Sequence, residues 1–139
     1  MPLITMRVAK IITSAVVKGD VSMEIYNITQ GVVLAQEVEI CFSFWKRFKG
    51  LLGRRSFPVG TGLLLKPCKS VHSYFVRFPF DAVFLNEDMV IVHIMESMPP
   101  YRISPVIWDA VSVLELPAGI ARLSGSRVGD QLSLRTQFT

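Results

Sequence analysis

The sequence predicts a mainly β fold, a sandwich or barrel of seven to eight strands with one or two short helices. Three observations carry that reading. Short apolar runs recur between turn residues from Val21 onward, several of them alternate with a period of two, and no repeat or low-complexity segment interrupts them. With 139 residues, 50% of them hydrophobic and 19% charged, the chain suits one compact domain that needs neither a disulfide nor a structural metal. No cofactor is implied.

The elements follow in order. Val21 to Ile28 reads as a first strand closed before Gly31. Val32, Leu34, Gln36, Val38 and Ile40 then share one face of a single strand, with Glu37 and Glu39 on the other. The period changes at Ser43, where Phe44, Phe48, Leu51 and Leu52 mark an amphipathic helix that Ser43 can cap and Gly53 can end. Gly62–Lys66, Val71–Phe78, Asp81–Asn86 and Met89–Met95 read as strands, with a hairpin turn at Asn86, Glu87 and Asp88. Prolines 99, 100 and 105 mark a long irregular loop through Trp108. A strand from Val111 to Leu116, a helical turn begun by Pro117, a turn at Gly125–Asp130 and a last strand from Gln131 to Gln137 complete the count.

The formal net charge is +4, and its distribution is uneven. Between Glu39 and Asp81 there is no acidic residue, while Lys46, Arg47, Lys49, Arg54, Arg55, Lys66, Lys69 and Arg77 supply eight of the fifteen positive charges. Such a block presents a positive field to phosphates or carboxylates, or else is a solvated basic face. It contains no clear nucleic-acid module. The first 20 residues are apolar, but Arg7 and Lys10 interrupt them, and no window reaches the 18 or so apolar residues of a membrane span. A cytoplasmic protein with both cysteines, Cys41 and Cys68, reduced is the expectation.

Three stretches in order, GLLGRRSF at 50–57, CKSVHSYFVRFPFDAVFLNED at 68–88 and VLELPAGIARLSGSRVGDQL at 113–132, resemble the small-protein family known as domain of unknown function 192. The resemblance covers about Met23 to Leu134. It implies a jelly-roll-like β-sandwich with a helix against one end, and it supplies candidate positions rather than a reaction. Residues 1–22 have no counterpart in it, so an N-terminal extension followed by a single domain over 23–139 is expected.

The candidate residues come from the motifs. Arg77 sits among Phe75, Phe78 and Phe80, where a guanidinium needs a partner or a stacked ring, and Asp81 and Glu115 are its natural partners. Glu115 alternates away from the apolar face and reads as solvated. Cys68 and His72, four residues apart, form a nucleophile pair only if the chain bends sharply between Cys68 and Val71, and no third orienting group is evident. Neither they nor His93 show paired metal-ligand spacing. No GxSxG, P-loop, GxGxxG or HExxH occurs. The leading expectation is a noncatalytic domain that binds a small anionic or glycan-like ligand, or a partner, through Arg54, His72, Arg77, Asp81, Trp108 and Glu115. Two alternatives stand beside it. One is an enzyme acting on a glycan or anionic metabolite through Asp81, Glu115 and His72, and the other is an interaction protein that uses the Pro99–Trp108 loop.

Overall fold

The computed structural model describes residues 21–42 and 50–138. Among these it forms eight strands and one short helix: β1 (Val21–Asn27), β2 (Val32–Ala35), β3 (Glu37–Cys41), β4 (Thr61–Leu65), β5 (Phe80–Leu85), β6 (Ile91–Met98), β7 (Ser112–Pro117), α1 (Ile120–Leu123) and β8 (Leu132–Phe138). They make two sheets, a three-stranded one ordered β2-β1-β8 and a five-stranded one ordered β3-β4-β7-β5-β6. The mainly β reading holds, as an open two-sheet sandwich rather than a closed barrel. The helix expected from Ser43 lies outside the described residues except for Gly50–Gly53, a turn in which Gly53 adopts φ 76°. Residues 1–20 also lie outside them, and β1 already pairs Val21 and Ser22 with Phe138 and Gln137.

One expected strand becomes two. The alternation from Val32 to Ile40 breaks at Gln36, whose backbone N–H turns to the carbonyl of Gly60, so β2 joins the small sheet and β3 the large one. The crossing is tight. A Cβ on Gly62 would meet the Ala35 side chain and Leu116 at 3.3 Å, so any larger residue there would push these neighbours back.

Two apolar cores result. The first fills the space between the sheets with Met23, Ile25, Leu34, Val38, Leu64, Val83, Leu85, Leu114 and Leu132. The second lies on the opposite face of the large sheet, where Leu63, Leu65, Phe80, Phe84 and Val113 meet Leu51, Val71, Val76 and Ala110 from the loops. Consequently β5 and β7 are buried at all six of their positions. A central strand covered on both sides has no solvent face for a polar residue to occupy.

The expected strand at 71–78 does not form. His72 makes one isolated bridge to Ile103, Val76 N–H closes a turn onto Ser73, and Phe75 has φ 63°. Buried Ser73 explains the turn, because its hydroxyl donates to the carbonyl of Pro99 (2.5 Å) and accepts from the N–H of Arg102 (2.9 Å), tying 71–78 to the 99–108 loop. The two loops form a roof over the second core.

Asp81 clasps the ends of three elements. Fully buried on β5, it accepts hydrogen bonds from the backbone N–H of Ser97 on β6 (2.8 Å), of Gly119 (3.1 and 3.2 Å) and of Ala121 at the start of α1 (2.8 Å). The FPFD and LPAG stretches are therefore two halves of one structural contact. Stranding a buried donor by removing its acceptor costs roughly 1–3 kcal/mol, and Asp81 serves three backbone donors. Asp81→Ala is expected to lower stability by several kcal/mol, enough to shift the urea midpoint of the full chain markedly. A midpoint within error of the parent would show that the clasp is dispensable.

Candidate functional site

The six expected site residues do not converge on one place. Asp81 is committed to the clasp. Arg77 is exposed and forms no ion pair with Asp81 or Glu115, because the turn at Phe75 carries it out of the aromatic surroundings that a regular strand would have given it. Asp81 and Glu115 cannot act together either. Glu115 pairs across the sheet with Ala82 and Leu63, both in the second core, whereas Asp81 lies opposite Leu116, which belongs to the first. The two carboxyls thus project from opposite faces, and the acid–base pairing expected of them is excluded.

Two groupings remain. One is a ridge of rings on the roof. His72 packs on Tyr74 (centroids 5.9 Å apart), Tyr74 on Tyr101 (6.2 Å) and Tyr101 on Phe75 (6.5 Å). Phe75 is 75% exposed and Tyr101 62%, and both hold left-handed backbone, with φ 63° and 59°. Such a conformation costs a non-glycine residue of order 1–3 kcal/mol. Between them opens a groove of about 480 Å³ lined by Phe75, Val76, Arg77, Pro100 and Tyr101. His72 is half-buried beneath the ridge with its Nδ1 unpartnered. Trp108 is exposed on the same loop but is not part of this chain of rings; its carbonyl accepts a hydrogen bond from Lys69 Nζ (2.8 Å).

The other grouping surrounds Glu115. The expectation of a solvated Glu115 is overturned: on the doubly covered β7 it is only 4% exposed, and its Oε2 has no hydrogen-bond partner. Burial disfavours the carboxylate and pushes the pKa from 4.5 up to about 8, against the weaker pull of the Arg54 charge. Arg54 is engaged elsewhere, donating from Nη2 to Glu39 Oε2 (2.8 Å) and from Nε to the Gly50 carbonyl (3.2 Å). The sequence singled out Glu115 as a candidate but misjudged its burial, because alternation assumed a solvent side. The apolar residues flanking Glu115 were the available signal, since Leu114, Leu116 and Pro117 leave little polar surface on that strand.

A third buried carboxyl behaves in the opposite way. Burial would raise the pKa of Asp130, but hydrogen bonds from Asn27 Nδ2, the Arg127 N–H and Gln30 Nε2, all at 3.0 Å, together with the Arg127 charge, bring it below its ordinary value. Among the described residues no cluster of three or more His, Cys, Asp or Glu could hold a metal ion, and no helix is long and apolar enough to cross a membrane.

The model of the DUF192 family, described as an uncharacterised ACR, matches residues 25–134. The chain belongs to that family. A UPF0127 protein of Pyrococcus furiosus is 32% identical to this DUF192 chain over 111 residues, covering 76% of the chain and 93% of the relative. A UPF0127 protein of Thermococcus sibiricus is 26% identical over 110 residues, covering 76% and 71%. The fold is shared with a solved protein of unknown function from Novosphingobium aromaticivorans (TM-score 0.70, 22% identity, 81% of this chain and 83% of that one). It is also shared with a solved protein from Sinorhizobium meliloti described as a putative transcription regulator (TM-score 0.68, 24% identity, 81% and 92%), a likeness that shows the fold alone.

The two shifted carboxyls make opposite contributions to stability against pH. Folded Glu115 holds its proton where the unfolded chain has lost it, so its contribution is full below about pH 4.5 and is lost as pH rises to about 8. Asp130, depressed in the fold, contributes above its ordinary value of 3.8, and that contribution is lost as pH falls through its lowered pKa. Glu115→Gln should flatten the fall in melting temperature between pH 4.5 and 8 without changing the acid limb, and Asp130→Asn should flatten the acid limb alone. Parallel profiles for Glu115→Gln and the parent would show that Glu115 titrates normally.

Proposed function

We propose that this DUF192 chain is a noncatalytic recognition domain whose aromatic ridge binds an anionic, ring-shaped ligand of the acidic-sugar class. The observation that carries the reading is the pair Phe75 and Tyr101. Both rings are held outward on strained backbone, where burial gives nothing in return for the strain. Exposed aromatic rings offer flat apolar faces on which the C–H face of a sugar ring stacks, and clustered exposed rings mark contact surfaces on soluble domains. Arg77 in the groove and exposed Arg102 beside Tyr101 add positive charge with no acidic side chain in the groove lining, which selects a carboxylated or sulfated ring over a neutral one. His72 supports the ridge from beneath, so its role is to position Tyr74. The ridge retains two of the six residues singled out in the sequence, His72 and Arg77, and adds Tyr74, Phe75 and Tyr101.

Binding of trigalacturonate to the full chain, with maltotriose as the neutral counterpart, tests this. Trigalacturonate should bind at low salt and weaken at high salt, since exposed charges are screened over about 10 Å at 0.1 M, while maltotriose should bind at least about tenfold more weakly, the equivalent of ~1.4 kcal/mol. Tyr101→Ala and Arg77→Ala should each weaken trigalacturonate by a similar factor. Phe75→Gly should abolish most binding while leaving the melting temperature unchanged or higher, because glycine relieves the left-handed strain. Equal affinity for both sugars, or full affinity in Phe75→Gly, would exclude the ridge as the site.

A further inference from the structure

A second surface of the roof takes no part in the ridge. The segments 66–79 and 99–109 lie side by side. The Ser104 N–H donates to the Val71 carbonyl and the Ile107 N–H to the Lys69 carbonyl, both at 2.8 Å, while Lys69 Nζ donates to the carbonyls of Trp108 (2.8 Å) and Ala110 (2.5 Å). On this held backbone Ile103, Val106 and Trp108 are all exposed, Ile103 by 68% and Trp108 by 78%. Three large apolar side chains kept in water within six residues mark a contact surface. A loose chain does not account for them, because the backbone beneath them is fixed by these bonds.

We propose that this loop docks on the surface of an anionic lipid bilayer, with Ile103, Val106 and Trp108 entering the headgroup region. Charge decides the partner. The two segments carry Lys66, Lys69, Arg77 and Arg102 against a single carboxylate, Asp109. Among the described residues the one ion pair, Arg54 with Glu39, lies outside both segments. Positive charge that the protein leaves uncompensated thus stands beside exposed apolar side chains. That combination draws a surface to anionic lipids and then holds it there by burial. The residue types also favour a bilayer over a protein partner. Trp108 and Tyr101 suit a boundary with one apolar and one wet side, whereas lysine is depleted from protein–protein interfaces.

The backbone permits entry. A loop that dips into a bilayer strands its peptide groups unless they are bonded within the protein. Here the N–H groups of Ser104 and Ile107 already have carbonyl partners on 66–79, the Arg102 carbonyl accepts from the Ser73 N–H at 2.8 Å, and the Val71 N–H donates to Ser104 Oγ at 2.9 Å. Pro105 has no N–H to satisfy. Only side chains have to leave water. The cations are placed to meet lipid phosphates at the same time, since Arg102 directly precedes Ile103 and Lys69 is bonded to the Trp108 carbonyl. This inference does not rest on the sugar reading of the ridge, because Ile103, Val106 and Trp108 are not among its rings.

Co-sedimentation of the full chain with vesicles of equal parts phosphatidylglycerol and phosphatidylcholine tests this, with pure phosphatidylcholine vesicles as the control. The chain should bind the mixed vesicles at least about tenfold more tightly than the neutral ones, and high salt should weaken that binding. The double variant Ile103→Ser with Trp108→Ser should lose about tenfold or more in affinity. Its melting temperature should match the parent's, because both side chains are exposed in the free protein. If it fails to fold, Arg102→Gln should weaken binding to the mixed vesicles several-fold and keeps the test open. Absence of binding to the mixed vesicles overturns the proposal, as does equal binding to both kinds. So does undiminished binding by whichever variant folds. A parent chain that is dimeric in free solution, with a monomeric double variant, also overturns it and gives the patch to a second copy. Trigalacturonate is measured without vesicles, where the double variant should bind as the parent does, so either site can fail alone.

Discussion

The structure is governed by the fact that the middle of its large sheet has no face left for water. β5 and β7 sit in the middle of that sheet with one side against the three-stranded sheet and the other under the loops. The 50–60, 66–79 and 99–110 segments must therefore fold down as a roof rather than project as ordinary connections, bringing Leu51, Val71, Val76 and Ala110 into the second core. A roof made of loops needs its backbone groups satisfied without ladders. Ser73 and Ser104 do this, Ser104 Oγ accepting from the Val71 N–H at 2.9 Å and Ser73 linking to Pro99 and Arg102. The ridge of rings is a product of the same constraint, since fixing Val76 inward in a tight turn leaves Phe75 and Arg77 outward.

Against this dry interior three of the four buried carboxyls among the described residues, Asp81, Asp130 and Glu115, can be compared directly. Asp81 receives backbone donors from three residues and Asp130 receives donors from three others, so each returns to the fold the solvation it lost. Glu115 receives none at Oε2 and avoids the cost of a buried charge by staying protonated. Asp81 and Asp130 hold chain segments together, which accounts for them without any ligand. Glu115 holds nothing together, and hydrophobic residues of similar size would suit its strand better. That asymmetry separates the two acids that hold chain segments together from one that is kept neutral by burial.

Much of the fold was legible in the sequence. The period of two and the spacing of turn residues locate β1, β4, β5, β6, β7 and β8 to within a few residues. Asn86 closes the hairpin as its position suggested, its Oδ1 accepting from the N–H groups of Asp88 and Val90 at 3.0 Å. What was not legible depended on contacts distant in sequence. Nothing local to Gln36 announces that its N–H finds Gly60, and nothing in VHSYFVRF announces that Ser73 is tied to a loop 26 residues on. Alternation also treats every strand as half-solvated, so it misjudged Glu115 on a strand covered twice. Arg77 was misjudged for the related reason that a regular strand was assumed where Phe75 reverses the chain.

The ridge and the surroundings of Glu115 differ in how the fold supports them. The ridge stands on two loops held by side-chain hydrogen bonds and by strained backbone, so its rings present a surface that sorts ligands by shape and charge at its exterior. Glu115 stands on the central strand of the large sheet, between Leu114 and Leu116, where neither backbone nor neighbours can move without opening a core. On the reading proposed above, ligand choice at the ridge rests on stacked area and on the two arginines.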